Sequence, residues 1–277
     1  MGTLFVSLRR NRRLLKDLLV RDLKGRYVGS VMGFFWSIIF PAVSLLIYMF
    51  VFRLVLKARW YDQQGQFEVG LLMLVGIVVW QAYSESVLRM TNSLVENRNL
   101  IQKVVFPAEI LPTYLTLSSL TNMLIGVGVA LAGVAYAAWI KDAGGDVARP
   151  LGFGASLVCL PLLIALQALF MLGVGAFLAA FNLILRDTHH VIGVLLQVWM
   201  FATPIFYPDH LVEKAGFGWL LRFNPMYGLI ESYRAVMVYG NWPHWREVGI
   251  FALVSACVLF LGMRFFLWQK PRFPDLL

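Results

Sequence analysis

Charge is what this sequence has least of. Only 14% of its 277 residues are Asp, Glu, Lys or Arg, against about a quarter in a soluble domain. A chain this size cannot hide so large an apolar excess in one core, so a soluble enzyme is excluded. Cysteine is nearly absent too: Cys159 and Cys257 both sit inside apolar runs and read as buried thiols, not as a disulfide or metal pair. No GxxxxGK[ST] sequence occurs, so no Walker-type ATP site is expected on this chain. The middles of the long apolar runs hold no Asp, Glu, Lys, Arg or His. Ion-coupled carriers and proton pumps need such groups, and an intramembrane hydrolase would need paired carboxylates at the same depth. His189-His190 stands in a loop without further ligands and reads as a solvated pair, so no metal site and no catalytic residue is assigned.

What is present is hydrophobic, at 60% of the chain with 14% aromatic residues, and it is arranged in blocks. A membrane-spanning helix needs roughly 20 apolar residues, and six blocks qualify: 31–56, 69–90, 110–140, 151–185, 191–207 and 248–268. The third and fourth exceed the hydrocarbon thickness and must tilt or project into water. The fifth is short. These runs predict an all-α, polytopic membrane protein forming a single domain over residues 1–277. Net charge is +9, and eight of the 24 Lys and Arg precede the first span. Basic residues collect on the cytoplasmic side, so this excess fits a bilayer better than nucleic acid and puts both termini inside. The basic N-terminus leads into an apolar run longer than a signal-peptide core, without a small-residue cleavage site, so no cleaved leader is expected.

Four segments carry more than topology. Residues 4–27 place Leu4, Leu8, Leu15, Leu18, Leu19 and Tyr27 near one helical face, with seven cations around the rest. That pattern suits a helix lying in the headgroup plane, and it suits a plain topology signal as well. Residues 96–107 form a short inner loop whose helix breakers, Pro107 and Pro112, punctuate the start of span three. About two turns of helix fit before them, with Leu100, Ile101, Val104 and Val105 as an apolar face. Such an element can dock a partner groove or simply lie on the membrane. Aromatics crowd span one (Phe34, Trp36, Phe40, Tyr48) and the end of span five (Trp199, Phe201, Phe206, Tyr207). Each suits an interfacial belt, and together they could line a conduit in which sugar rings stack. Residues 208–247 are too long and too aromatic for a simple loop. Phe217–Leu221 and Tyr227–Tyr239 read as short helices broken at Asn224-Pro225, able to dip back into the outer face as re-entrant structure.

The motifs, taken in order, resemble a known family. Arg21-Asp22-Leu23-Lys24-Gly25-Arg26-Tyr27-Val28-Gly29-Ser30-Val31-Met32-Gly33-Phe34-Phe35-Trp36 is similar to the start of span one in permease subunits of polysaccharide-exporting ABC transporters, of the O-antigen, capsule and teichoic-acid type. The run Asn97-Arg98-Asn99-Leu100-Ile101-Gln102-Lys103-Val104-Val105-Phe106-Pro107 resembles their loop after span two. Arg186-Asp187, Thr203-Pro204-Ile205-Phe206-Tyr207-Pro208, Asn224-Pro225-Met226 and Tyr233-Arg234 continue the match.

The resemblance implies roles that composition does not. Asn97, Arg98, Asn99, Leu100, Ile101, Lys103 and Phe106 would form a coupling helix seated on a separate ATPase. Arg21, Asp22, Lys24, Arg26 and Tyr27 would help gate the inner mouth of a channel. A second copy of the chain and two nucleotide-binding subunits would complete the transporter in the cytoplasmic (inner) membrane. ATP and Mg would bind those subunits and no cofactor this chain. An undecaprenyl-linked polysaccharide would pass between the two permeases. A permease for drugs or small lipids, and a membrane enzyme or scaffold of envelope glycan synthesis, are the competing readings.

Overall fold

The computed structural model of the chain describes residues 7, 9–26, 28, 32–48, 50–51, 66–103, 106–142 and 151–277. Every regular element among them is helical, as expected for the all-α class. In chain order the helices are α1 (Arg12–Gly25), α2 (Trp36–Tyr48), α3 (Gln66–Glu96), α4 (Arg98–Lys103), α5 (Ile110–Asp142), α6 (Leu160–Ile184), α7 (Thr188–Ala202), α8 (Asp209–Lys214), α9 (Gly218–Phe223), α10 (Pro225–Met237), α11 (Trp245–Gln269) and α12 (Phe273–Leu276).

Four stretches are long and apolar enough to cross a membrane: Glu68–Glu96, Ile110–Trp139, Ala155–Ile184 and Trp245–Leu276. They coincide with the second, third, fourth and sixth expected spans. The first survives among the described residues as the 13-residue α2, which carries Pro41 inside it; residues 52–56 of that span lie outside them. The fifth is shorter than expected. Helix α7 stops at Ala202, and Thr203 takes an extended conformation (φ −102°, ψ 130°). Thr203 precedes Pro204, whose ring disfavours the helical region for the residue before it. Fifteen residues then span about 22 Å.

Helix α3 is the hub. It packs against α2, α5, α6, α7 and α10, and its apolar stretch is the most enclosed of the four. Helix α11 pairs with α6 along a seam without side chains at its tightest point. A Cβ on Gly262 would lie 2.0 Å from the Gly173 carbonyl oxygen, and one on Gly173 would lie 2.6 Å from the Leu259 backbone. Small residues let helix backbones approach this closely where the hydrophobic effect cannot drive association. The same device recurs where Gly126 meets Val78 and Gly175 meets Met90.

Two buried polar side chains, Gln167 and Arg234, bond from one element to another. Gln167 Nε2 donates to the Val79 carbonyl at 3.1 Å, and its Oε1 accepts from Tyr233 Oη at 2.9 Å. Arg234, 2% exposed, ties three elements together. It donates to the carbonyls of Leu72 (3.0 Å) in α3 and of Pro204 (3.0 Å) and Ile205 (3.1 Å) beyond α7, and pairs with Glu231 at 2.6 Å. Gly76 makes the room: a Cβ there would sit 3.1 Å from the guanidinium. Residues 208–247 fold as three helices. The break at Asn224 falls where the sequence places it, and α8 is an element the pattern does not announce. Asn224 caps α10 through Oδ1 to Met226 N (3.1 Å) and donates to Thr203 Oγ1 (2.8 Å).

Because the contact between α6 and α11 is backbone on backbone, Gly262→Ala is expected to cost about 1–3 kcal/mol. The drop should appear as a lower thermal midpoint in detergent. Gly128→Ala is the contrast, since nothing lies within 4 Å of the new methyl and helix propensity favours it. That variant should be neutral or more stable.

Candidate functional site

Helix α1 lies against α5 because of its spacing. Leu14, Leu18 and Asp22 recur every four residues, which stacks them on one face. Leu18 is buried, while Arg12, Arg13, Lys16, Arg21 and Lys24 are exposed. The face ends in charges instead of apolar groups. Arg89 of α3 grips Asp22 with both ends of its guanidinium, one bond being Nη1 to Oδ2 at 3.2 Å. Ser118 of α5 donates to the same carboxylate at 2.5 Å. Arg26 reaches back to Asp22 (3.4 Å) and across to Glu85 of α3 (2.7 Å), and Glu85 approaches Arg89 at 3.5 Å. Two acids and two bases therefore cancel in a half-buried cluster that fastens α1 to both α3 and α5. Burial pushes the Asp22 carboxyl up, but hydrogen bonds from Arg89 and Ser118 and the charges of Arg89 and Arg26 outweigh it. The result lies below the usual aspartate range.

The cluster stands between two cavities. One, of about 500 Å³, is polar and lined by Arg21, Asp22, Arg89 and Tyr114. The other, of about 270 Å³, presents Trp36 and Phe40 with Ser37, Gln81 and Asn122. Arg26 and Glu85 line both, so their ion pair is the shared wall. Aromatic faces beside amide and hydroxyl groups form the kind of surface on which a polyhydroxylated ring can stack and hydrogen-bond.

Of the expected gate residues, Asp22 and Arg26 enter the network and Arg21 lines the polar cavity. Lys24 faces away beside Val20, Leu23 and Val28, and Tyr27 lies outside the described residues. The expected aromatic lining divides. Trp36 and Phe40 are exposed with ring centroids 6.0 Å apart; the side chains of Phe34 and Tyr48 lie outside the described residues. Trp199 turns inward, edge-on to Trp80 (5.8 Å) and Tyr83 (5.5 Å), and its indole N–H donates to Asn224 Oδ1 at 3.0 Å. Phe201 is exposed and meets Phe206 at 6.0 Å, and the Tyr207 hydroxyl donates to the Phe201 carbonyl.

The short loop after α3 folds as the single helix α4, begun by Asn97, whose carbonyl accepts from Leu100 and Ile101 and whose Nδ2 donates to the Ser93 carbonyl. Arg98, Asn99 and Lys103 are exposed, while Ile101 and Phe106 pack on the core. Val104 and Val105 lie outside the described residues. The C-terminal helix α12 braces α4, with Gln102 Nε2 3.4 Å from the Pro274 carbonyl. Beside it, Glu109 accepts from Lys270 Nζ and Ser7 Oγ, both at 2.6 Å. Burial raises the Glu109 carboxyl, yet those two partners bring it below the usual glutamate range.

Sequence reasoning missed Glu85, Arg89, Ser118, Glu109 and Lys270. Only Glu85 and Arg89 carry a local signal, as an acid–base pair four residues apart on one helical face.

These features define a helical, multi-pass membrane protein with an amphipathic N-terminal helix pinned over a polar cavity. The profile described as ABC-2 type transporter matches residues 13–238. The chain belongs to that family, and is a transport protein, not an enzyme. It is 30% identical to the O-antigen export system permease protein RfbA of Myxococcus xanthus, over 95% of each chain. It is 25% identical to a protein of the same name from Klebsiella pneumoniae, over 98% of this chain and 99% of that one. The polysialic acid transport protein KpsM of Escherichia coli is 20% identical over 90% of each.

A depressed carboxyl contributes stability that is present above its unfolded pKa, about 3.9, and lost as pH falls through the folded value. A spin label at Lys24→Cys should therefore stay immobile from neutral pH down to about 5 and loosen steeply below about 4. Asp22→Asn should loosen it at every pH. Equal mobility in wild type and D22N would disprove the pinning role.

Proposed function

We propose that this chain is the membrane-spanning subunit of an ATP-driven exporter that moves a lipid-linked, O-antigen-like polysaccharide across the cytoplasmic membrane. The observation that carries this reading is the end-to-end similarity to permeases named for O-antigen export, which covers the ion-pair network and the α4 loop alike. The aromatic and amide cavity beside Arg26 and Glu85 supports it, because its chemistry suits sugars and not a coupling ion.

In this reading six spans cross the bilayer, with residues 31–56 and α7 joining the four long helices. Both termini are cytoplasmic, and α8 to α10 form re-entrant structure on the outer side. Two copies face each other around the polymer. Two ATPase subunits, holding ATP and Mg, dock on α4 through Arg98, Asn99, Leu100 and Lys103. The Arg26–Glu85 pair parts when the polymer enters, so that its glycan passes from the polar cavity to the aromatic one.

Deleting the gene while glycan synthesis continues should trap long-chain polysaccharide inside the cell and clear it from the surface. Unchanged surface glycan, in a strain without a second exporter, would refute the reading. Arg98→Ala combined with Leu100→Ala should leave the permease folded and in the membrane, yet abolish stimulation of the partner ATPase and reduce export at least roughly tenfold, a loss of about 1.4 kcal/mol of coupling. Normal export in that variant would reassign α4.

A further inference from the structure

A further cavity lies away from the α1 network, at the end of the bundle opposite α4. Its volume is about 950 Å³, near the top of the roughly 300–1,000 Å³ range of small-molecule sites. The depth of the cavity is apolar. Phe170 and Val174 of α6 form it with Phe251, Val254 and Val258 of α11, and the two phenylalanine rings pack 5.4 Å apart. From Arg246 to Val258 the α11 wall rises about 18 Å. That length matches one leaflet of a roughly 30 Å hydrocarbon core.

The mouth is different. Glu213 of α8, Arg222 of α9, and Arg246 and Glu247 of α11 line it. Among the described residues none of these four side chains makes an ion pair within 4.0 Å or a hydrogen bond. The contrast with the α1 network is direct, because there every charge is spent on another charge of the same chain.

We infer that this groove holds one zwitterionic aminophospholipid, its hydrocarbon chain between α6 and α11 and its headgroup at the charged mouth. The two arginines suit the phosphate and the two glutamates suit the ammonium, both as charge-assisted contacts. An anionic headgroup would satisfy the arginines but face two carboxylates. A glycan would leave the phenylalanine and valine floor without an apolar partner. The hydrophobic gain of burying a chain, about 0.8 kcal/mol per CH₂ in water, is absent inside a bilayer, so the headgroup pairing must supply the selectivity. The inference concerns a resident lipid and does not depend on what the chain exports.

The test uses the full chain in nanodiscs of equal phosphatidylethanolamine and phosphatidylglycerol, followed by detergent washing and mass spectrometry of the retained lipid. Wild type should retain phosphatidylethanolamine in preference. Arg222→Ala with Arg246→Ala should lose that lipid about tenfold, and Val254→Trp, which fills the groove without touching the mouth, should lose it too. Glu213→Gln with Glu247→Gln should switch the preference to phosphatidylglycerol, a gain that misfolding cannot imitate. Equal retention of both lipids by wild type overturns the inference, as does retention of a prenyl phosphate or glycan instead. An unswitched preference in the glutamine variant overturns it as well.

Discussion

The structure depends on a helix that is too long for the membrane it enters. The 31 residues of α3 extend about 46 Å, against roughly 30 Å of hydrocarbon. The apolar part becomes the hub on which α2, α5, α6, α7 and α10 pack. The surplus carries Glu85 and Arg89 to a depth where charge is tolerable, and these two groups receive α1. The last turn of α3 leads through Asn97 into α4, so the core, the ion-pair network and the α4 loop follow one another along one stretch of chain.

The opposite end poses the reverse problem, because there the backbone leaves helical form. Thr203 to Tyr207 follow α7 with carbonyls that α7 cannot satisfy. Unpaired peptide groups are costly away from water, and Arg234 resolves this by donating to two of those carbonyls and to one in α3. Asn224 does the same on a smaller scale, capping α10 while accepting from Trp199. The Trp199 N–H has a buried acceptor and its edges meet Trp80 and Tyr83, while the half-buried ring also lines the large cavity.

The two kinds of charged cluster also separate structural from available chemistry. Asp22, Arg26, Glu85 and Arg89 neutralise one another in a half-buried site, where an unpartnered charge would be strongly destabilising. Glu109, Lys270 and Ser7 repeat this beside α4. At the mouth of the large cavity Glu213, Arg222, Arg246 and Glu247 form no ion pair within 4.0 Å among the described residues. The same residue types hold the fold together in the first two places and offer a surface in the third.

Much of this was legible in the sequence, because the bilayer imposes a rule that composition alone reveals: apolar runs of about 20 residues. Helical class, the four long spans, the break at Asn224-Pro225, the short helix after Asn97 and the alternation of leucine and charge in α1 all follow from local pattern and from proline. The tertiary structure alone decided which polar residues meet. Asp22 and Ser118 are 96 positions apart, Glu109 and Lys270 are 161 apart, and Arg234 selects carbonyls that carry no side-chain signal at all. Periodicity says which face of a helix turns inward. What stands opposite that face depends on how the helices cross, and here the crossings are set by glycines such as Gly173 and Gly262, whose only message is the side chain they lack.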